Sequence, residues 1–265
     1  MKAVILAGGF GTRLSEETGL RPKPLVEIGE RPILWHVMSC YARAGITDFV
    51  VCAGYRAEMI KRYFAQYFLE TSDLRVDLAT GEISYFGSRS EPWTVTIVDT
   101  GLHTMTGGRV RRVREHLGDE PFCLTYGDGV IDLDLARVVA FHRAHGKLAT
   151  VTAVPSPGRF GILDMGENDA VDAFLEKPNN EMGYINAGFF VLEPEAIDYV
   201  RGGDATVWEQ EPLQELARDG ELRAFRHDGF WKPMDTLRDK RELERLWEGG
   251  KAPWAGNGAD GGRVP

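Results

Sequence analysis

The chain has 265 residues, of which 43% are hydrophobic and 27% charged, a composition that argues against a disordered or fibrous protein. A formal net charge of −9 argues against nucleic-acid binding, and no apolar run approaches the roughly 18 residues that span a membrane. The three cysteines, Cys40, Cys52 and Cys123, lie far apart in predicted helices or strands. We therefore predict that they are reduced core residues of a cytoplasmic protein.

The first predicted element is a buried strand over residues 2–7, which runs directly into a glycine-rich loop. Pro32 then opens a predicted helix, whose apolar residues repeat every three or four positions until Gly45 closes it. A second strand covers residues 49–53, and an aromatic stripe predicts a helix over residues 59–68. Residues 74–86 predict a hairpin that turns near Thr80 and Gly81.

The alternation of strands and helices continues up to Gly146. The predicted elements are a strand over 94–98, a basic helix over 110–117, a strand over 122–125 and a helix over 133–145. Strands that alternate with helices through short loops predict an α/β fold, with a Rossmann-like, mixed and mostly parallel central sheet and helices on both faces.

After residue 149 the pattern becomes richer in strands. Strands are predicted over 150–154, 161–165, 171–175 and 188–192, and helices near 207–218 and 236–247. No Pro/Ser-rich linker divides the chain, so we predict one domain over residues 1–254 with an additional small antiparallel layer. Residues 255–265 are rich in glycine and poor in apolar residues, and predict a disordered tail.

The loop after the first strand carries three glycines, Gly8, Gly9 and Gly11, before Thr12 and Arg13. Backbone N–H groups without side chains in the way form a cradle for anions. Two known phosphate-binding motifs, the P-loop and the dinucleotide-binding fingerprint, do not match this loop. A P-loop would need Lys and Ser/Thr after its last glycine, and the dinucleotide fingerprint would need a glycine where Leu14 stands. Taken alone, the loop could still be a tight turn with basic neighbours.

Further motifs along the chain resemble those of a known enzyme family. The segments that resemble sugar-phosphate nucleotidylyltransferases are LAGGFGTRL (6–14), Lys23-Pro24, YGD (126–128), FLEKP (174–178), NAGFF (186–190) and MDT (234–236). The segments that resemble the glucose-1-phosphate cytidylyltransferase branch of that family are EPW (91–93), MTGGR (105–109), PGRFG (157–161), WEQEP (208–212) and FWKPMD (230–235). The resemblance covers roughly residues 1–254.

The resemblance implies an enzyme of the nucleotide-diphospho-sugar transferase fold. Its implied reaction transfers a cytidylyl group from CTP to α-D-glucose 1-phosphate and yields CDP-glucose and pyrophosphate. The implied cofactor is Mg²⁺, and the implied assembly is a homo-oligomer such as a hexamer. Neither a nucleic acid nor a membrane is an expected partner.

The resemblance also implies roles for individual residues. The implied nucleotide-binding residues are Leu6, Ala7, Gly8, Gly9, Gly11, Thr12, Arg13, Thr106, Gly108, Arg109, Gly127 and Asp128. The implied sugar-phosphate-binding residues are Gly161, Glu176, Lys177 and Asn186. The implied catalytic residues are Arg13, Lys23, Asp128, Lys177 and Asp235, and the implied metal ligands are Asp128 and Asp235. We expect Arg13 to neutralise the β- and γ-phosphates and Lys23 to reach the α-phosphate.

Ordinary structural roles compete with several of these assignments. Asp128 could be a turn residue, and Lys23 an exposed loop lysine. Asp235 could cap the helix that follows it, although Thr236 and Asp239 have the spacing of a capping box.

Structural positions, not a functional role, are predicted for two of the histidines and three of the arginines. His142 and His145 are one helical turn apart, but no cysteine or glutamate lies near them in the sequence, so core or surface positions are favoured over a metal site. Arg111, Arg112 and Arg114 predict a solvated helix face.

Two functional alternatives stay open. The first is the same chemistry with another base or sugar, such as thymidylyl transfer. The second is a catalytically inactive nucleotide-sugar sensor, which is disfavoured because such relatives typically lose one of the cations or aspartates retained here. An NAD oxidoreductase is excluded by Leu14 and by the missing acidic residue after the second strand.

Overall fold

The computed structural model describes residues 1–156, 162–165, 171–175 and 183–256. The strands are β1 (Ala3–Ala7), β2 (Glu27–Ile28), β3 (Arg31–Pro32), β4 (Asp48–Ala53), β5 (Asp73–Val76), β6 (Ile83–Phe86), β7 (Thr94–Asp99), β8 (Phe122–Tyr126), β9 (Gly129–Ile131), β10 (Ala149–Pro155), β11 (Ile162–Met165), β12 (Val171–Leu175), β13 (Tyr184–Leu192), β14 (Leu222–Arg226) and β15 (Trp231–Pro233). The helices are α1 (Ser15–Thr18), α2 (Ile33–Ala42), α3 (Ala57–Glu70), α4 (Thr106–Arg112), α5 (Leu135–His145), α6 (Glu211–Arg218) and α7 (Leu237–Glu248). None of the helices in these ranges is long and apolar enough to cross a membrane.

The main sheet is mixed, with a parallel centre. Strands β8, β1, β4 and β7 lie side by side in that order and run parallel. Strand β13 runs antiparallel to β8 and also pairs with β10 and β11. Strand β10 is parallel to the edge strand β14, and β11 pairs with β12 in an antiparallel hairpin. The predicted fold class, a Rossmann-like α/β sheet with a small antiparallel layer, is confirmed.

Helices cover both faces of this sheet because successive side chains of a strand point to opposite sides. Val4 and Leu6 of β1 belong to a core cluster that also contains residues of α6. Ile5 belongs to a second cluster, which is formed with α2, α3 and α5. Ala3, Val4 and Ile5 are fully buried, so β1 is at the centre of the three-layer core.

A smaller pair of strands determines where two of the predicted site residues lie. Strands β9 and β15 pair antiparallel, with Gly129 opposite Pro233. Asp128 directly precedes β9, and Asp235 is the second residue after the end of β15. The Met234 N–H donates to the Asp128 carbonyl oxygen at 2.8 Å, which brings the two aspartates together although they are far apart in the sequence.

Several predicted boundaries are wrong in position. The helix predicted over 110–117 begins at Thr106, because Gly107 and Gly108 are helical here and let the chain approach closely: a Cβ on Gly107 would lie 2.9 Å from the Thr206 carbonyl oxygen. The helix predicted from residue 207 begins at Glu211, and β13 begins at Tyr184, before the predicted start at residue 188. The tail residues 257–265 lie outside the described part of the chain.

The predicted core positions of the cysteines and of His142 and His145 are confirmed. All three cysteines are buried and free. Thr150 Oγ1 lies 2.8 Å from His142 Nδ1 and 2.7 Å from His145 Nε2, so both histidines are bound to a core threonine. In the described ranges, no group of three or more His, Cys, Asp or Glu residues could hold a metal ion.

Candidate active site

A cavity of about 1110 Å³ opens where β1 and β8 end. Carboxyl ends of parallel strands are the usual location of ligand sites in open α/β sheets. The predicted site residues that line this cavity are Leu6, Ala7, Gly8, Gly9, Gly11, Thr12, Arg13, Lys23, Thr106, Arg109, Gly127, Asp128, Asn186 and Asp235. Gly108 is packed against Asp204 instead. Gly161, Glu176 and Lys177 lie outside the described residues.

The glycine loop combines open and crowded positions. Gly9 has nothing within 4 Å of where a Cβ would be, whereas a Cβ on Gly8 would lie 2.0 Å from Nη1 of Arg109. Gly11 has φ +64°, a left-handed conformation that glycine adopts without strain. The loop therefore brings its backbone close to the cavity in a way that larger residues at positions 8 and 11 would prevent.

Two aspartates and two cationic side chains lie together beside the glycine loop. Lys23 Nζ lies 2.5 Å from Asp128 Oδ2 and 2.9 Å from Asp235 Oδ1. Arg13 Nη1 lies 2.8 Å from the other carboxylate oxygen of Asp235. Burial alone would lower the pKa of Lys23, but the attraction of both carboxylates outweighs it and raises the pKa. The ammonium is therefore charged at neutral pH.

The structure separates the role of Asp235 from helix capping. Thr236 is the N-cap of α7, and with Asp239 it forms the reciprocal capping box. The Asp235 carboxylate is bonded to Lys23 and Arg13 instead, so the capping explanation for Asp235 is wrong. Lys23 is only 8% exposed, so the exposed-lysine alternative is also wrong.

The donor set of the two aspartates fits a divalent cation. Their oxygens already converge on one positive atom, the Lys23 ammonium, from two sides. Magnesium is typically bound through one or two carboxylates, with phosphate oxygens and water as the remaining ligands. Asp128 and Asp235 can therefore hold Mg²⁺ in the presence of a nucleotide without a third acidic residue.

Arg109 occupies the cavity wall in an unexpected way. Its guanidinium donates to the carbonyl oxygens of Gly8 and Ala53, each at 3.1 Å, and to Thr100 Oγ1 at 2.7 Å. The residue is only 4% exposed. Through these bonds the guanidinium connects the glycine loop to the end of β4. Arg109 therefore stabilises the position of the loop within the cavity wall.

Thr106 belongs to a network that the sequence did not predict. Its hydroxyl donates to Glu209 Oε2 at 2.7 Å and accepts from the Trp208 N–H at 2.8 Å. The Tyr126 hydroxyl donates to the other oxygen of Glu209. Glu209 lines the cavity, and its position within WEQEP (208–212) was the available sequence signal.

Asn186 also lines the cavity. Its Oδ1 accepts from the Gly188 N–H at 2.7 Å. Gly188 has φ +80°, and a Cβ there would lie 2.2 Å from the ring of Tyr126. The asparagine amide is thus oriented by its own strand, β13, with Tyr126 packed beside it.

Comparisons with known proteins show what the chain is similar to. A family model described as nucleotidyl transferase matches residues 2–232. The chain is 58% identical over 255 residues to a glucose-1-phosphate cytidylyltransferase of Salmonella typhi, covering 96% of this chain and 98% of the relative. It is 43% identical over 254 residues to a probable glucose-1-phosphate cytidylyltransferase of Bacillus subtilis (strain 168), covering 96% and 99%.

Among solved structures, the crystal structure of HddC from Yersinia pseudotuberculosis superposes with a TM-score of 0.73. The match covers 93% of this chain and 99% of that chain, at 22% sequence identity. At that identity the likeness concerns the fold alone.

Proposed function

Because this chain belongs to the nucleotidyl transferase family, we propose that it transfers a cytidylyl group from CTP to α-D-glucose 1-phosphate. The products are CDP-glucose and pyrophosphate. The observation that carries the proposal is the group of Arg13, Lys23, Asp128 and Asp235 beside a glycine loop at the end of β1. Identity over nearly the whole chain to the cytidylyltransferases above supports the choice of base and sugar.

The reaction is an in-line displacement. A phosphate oxygen of glucose 1-phosphate attacks the α-phosphorus of CTP, and the bond from that phosphorus to the oxygen leading to the β-phosphate breaks. Pyrophosphate leaves with the electron pair of that bond. Both substrates are anionic, so the protein must reduce their mutual repulsion and hold the reacting atoms in line.

The residues around the glycine loop can perform this work. Backbone N–H groups of residues 8–12 bind the triphosphate, and Arg13 neutralises its outer phosphates with a forked guanidinium. The flanking prolines Pro22 and Pro24 limit the freedom of Lys23, which reaches the α-phosphate. Arg13 and Lys23 are bound to carboxylates here, so they exchange those partners for phosphate oxygens when CTP enters.

Asp128 and Asp235 are the proposed ligands of Mg²⁺. When bound, the ion adds positive charge where negative charge accumulates during the displacement. The two carboxylates would hold the ion at that position, and Lys23 compensates their charge when no ion is present.

The sugar phosphate is assigned to the part of the cavity that Asn186 lines. By resemblance, Gly161, Glu176 and Lys177 complete the sugar-phosphate contacts. The expected contacts are the Glu176 carboxylate with sugar hydroxyls and the Lys177 ammonium with the phosphate. The resemblance also supports a homo-oligomer in the cytoplasm, and light scattering of the purified protein tests the oligomeric state.

The experiment that tests the function is a matrix of pyrophosphate release. The four common nucleoside triphosphates are each combined with several hexose 1-phosphates. We expect CTP with glucose 1-phosphate to be preferred, because a site built for the cytosine amino group leaves buried groups unpaired with uracil or thymine, at a cost of about 1–3 kcal/mol per group. Equal turnover with dTTP or UTP would contradict the cytidylyl assignment, and no turnover with any pair would favour the sensor.

A further inference from the structure

We propose that Glu209 is a specificity-determining residue that accepts a hydrogen bond from an uncharged donor group of a substrate. The donor is a hydroxyl or amino group on the nucleoside or on the hexose. This inference rests on the proposed function, and it concerns the end of the cavity away from the phosphates.

The partners of Glu209 distinguish it from the other two carboxylates of the cavity. Asp128 and Asp235 are bonded to the cations Lys23 and Arg13. Within the described ranges, the hydrogen-bond partners of Glu209 are instead the hydroxyls of Thr106 and Tyr126. Neither hydroxyl neutralises its negative charge.

That charge decides which part of a substrate can lie beside Glu209. The proposed substrates are phosphate anions, and a carboxylate whose partners among the described residues are uncharged repels phosphate in a cavity with a reduced dielectric constant. The phosphates therefore lie towards Lys23 and Arg13, and a neutral part of the substrate lies towards Glu209. A carboxylate facing a neutral group is favourable only when that group donates a hydrogen bond.

Glu209 has acceptor capacity left for such a donor. A carboxylate offers about four lone-pair positions, and the two hydroxyls occupy one on each oxygen. The Thr106 hydroxyl has one acceptor position left, since it donates to Glu209 and accepts from the Trp208 N–H. The carboxylate is therefore the group of this network with the most free positions for a substrate donor.

The surroundings hold the carboxylate in place before a substrate arrives. Trp208 is fully buried, and Thr206 accepts backbone hydrogen bonds from Gly107 and Gly108 at 2.9 and 3.2 Å. The segment that carries Glu209 is thus attached to the start of α4. Tyr126 tethers the second oxygen from the end of β8. An acceptor fixed from two elements discriminates between substrates more sharply than a mobile one.

The test uses Glu209→Gln in the full chain, with Glu211→Gln as the matched control. Glu211 is the next acidic residue and is exposed at the start of α6. The selectivity ratios to be measured are CTP over dCTP for a ribose hydroxyl, CTP over UTP for the cytosine amino group, and glucose 1-phosphate over 2-deoxyglucose 1-phosphate for a hexose hydroxyl. We expect Glu209→Gln to reduce one of these ratios at least tenfold while the Glu211→Gln ratios match wild type.

Binding measurements keep the test informative when turnover is low. Calorimetric titration of CTP and its analogues reports the same selectivity without catalysis, and Tyr126→Phe releases one tether while keeping the carboxylate. We expect Tyr126→Phe to raise KM with a smaller loss of selectivity than Glu209→Gln.

Unchanged ratios in all three comparisons for Glu209→Gln would overturn the proposal and leave Glu209 with a structural role. A wild-type protein that fails to use CTP and glucose 1-phosphate would instead contradict the proposed function. The two failures are therefore distinguishable.

Discussion

Lys23 Nζ lies 2.5 Å from Asp128 Oδ2, between residues that are 105 positions apart in the sequence. The same ammonium lies 2.9 Å from Asp235, whose second oxygen is bonded to Arg13. Two positive and two negative charges thus cancel within one cluster before a substrate arrives. Any ligand that binds to one of these four side chains therefore has to replace an ion pair.

Asp128 and Asp235 are expected to act as one unit. Asp128→Asn and Asp235→Asn should each remove most of the activity, and the double variant should be scarcely worse than either single variant, because residues that share one partner are non-additive. Each single variant should also need more Mg²⁺ to reach its residual rate. The measurement is turnover against Mg²⁺ concentration for wild type and the three variants.

Thr236→Ala is the control for this series. It removes the cap of α7 and should cost about 0.5–2 kcal/mol of stability, with turnover retained below the melting temperature. Losses that multiply in the double aspartate variant, with no change in the Mg²⁺ requirement, would contradict a shared ion.

Lys23 is expected to compete with a metal ion in the absence of nucleotide. In Lys23→Met the two carboxylates lose the cation between them, so Mn²⁺ without nucleotide should bind about tenfold more tightly or better than to wild type. Turnover should fall strongly, since the variant lacks the cation for the α-phosphate. Electron paramagnetic resonance of free Mn²⁺ measures the affinity, and Lys61→Met on the exposed side of α3 is the control. Equal Mn²⁺ affinity of Lys23→Met and wild type would show that the ammonium does not occupy the metal position.

His36 should make stability depend on acidic pH. Burial lowers the pKa of His36 from 6.5 to about 4, and the neutral ring is held by the Ile28 carbonyl oxygen and the Trp254 indole N–H. Below pH 6.5 His36 becomes protonated in the unfolded chain but stays neutral in the folded chain. The free energy of unfolding therefore falls with pH until about pH 4. The shift corresponds to about 3 kcal/mol.

The measurement is the free energy of unfolding between pH 7 and pH 4.5 for wild type and His36→Gln. The variant should lose less stability over this range than wild type does. His142 and His145, whose pKa burial also lowers to about 4, account for part of the remaining slope. His103→Gln at the exposed rim of the cavity is the matched control. Parallel curves for wild type and His36→Gln would refute the assignment.

Gly54 and Gly9 should respond differently to alanine. A Cβ on Gly54 would lie 2.7 Å from the Gly8 carbonyl oxygen and 2.9 Å from that of Gly101, so the backbone has to move. We expect Gly54→Ala to cost about 1–3 kcal/mol and lower the melting temperature by several degrees. A Cβ on Gly9 would have nothing within 4 Å, so Gly9→Ala should keep the wild-type melting temperature. The added methyl group should nevertheless weaken CTP binding. Similar melting temperatures for both variants would contradict the crowding at residue 54.

The central sheet could be predicted from sequence because its strands are short apolar runs at regular intervals. Strands β1, β4, β7 and β8 are placed within one or two residues of their predicted bounds. Strands β9, β14 and β15 were not predicted. Trp231 and Pro233 lie in a three-residue strand that exists only because β9 pairs with it, and a local pattern carries no information on such a partner.

The site was predictable only in part for a similar reason. The motifs identified Lys23, Asp128 and Asp235, because their chemistry is visible in residue type and order. The internal bonds of Arg109 depend on where the carbonyl oxygens of Gly8 and Ala53 lie in the fold, which no spacing along the chain encodes. Glu209 was overlooked because its partners, Thr106 and Tyr126, are more than 80 positions away.

The packing of Trp254 has a consequence for the order in which the protein assembles during synthesis. Its ring stacks on Phe230 and Trp247, its indole N–H reaches His36, and it is 1% exposed. The segment that brings Asp235 to Lys23 is thus anchored by a residue made 19 positions later. A nascent chain can form the β1–β4–β7–β8 core and pair Lys23 with Asp128 well before that point. The second carboxylate gains its support only when Trp254 has left the ribosome, so a chain that stalls shortly before it would carry a folded sheet in which the proposed metal site is incomplete.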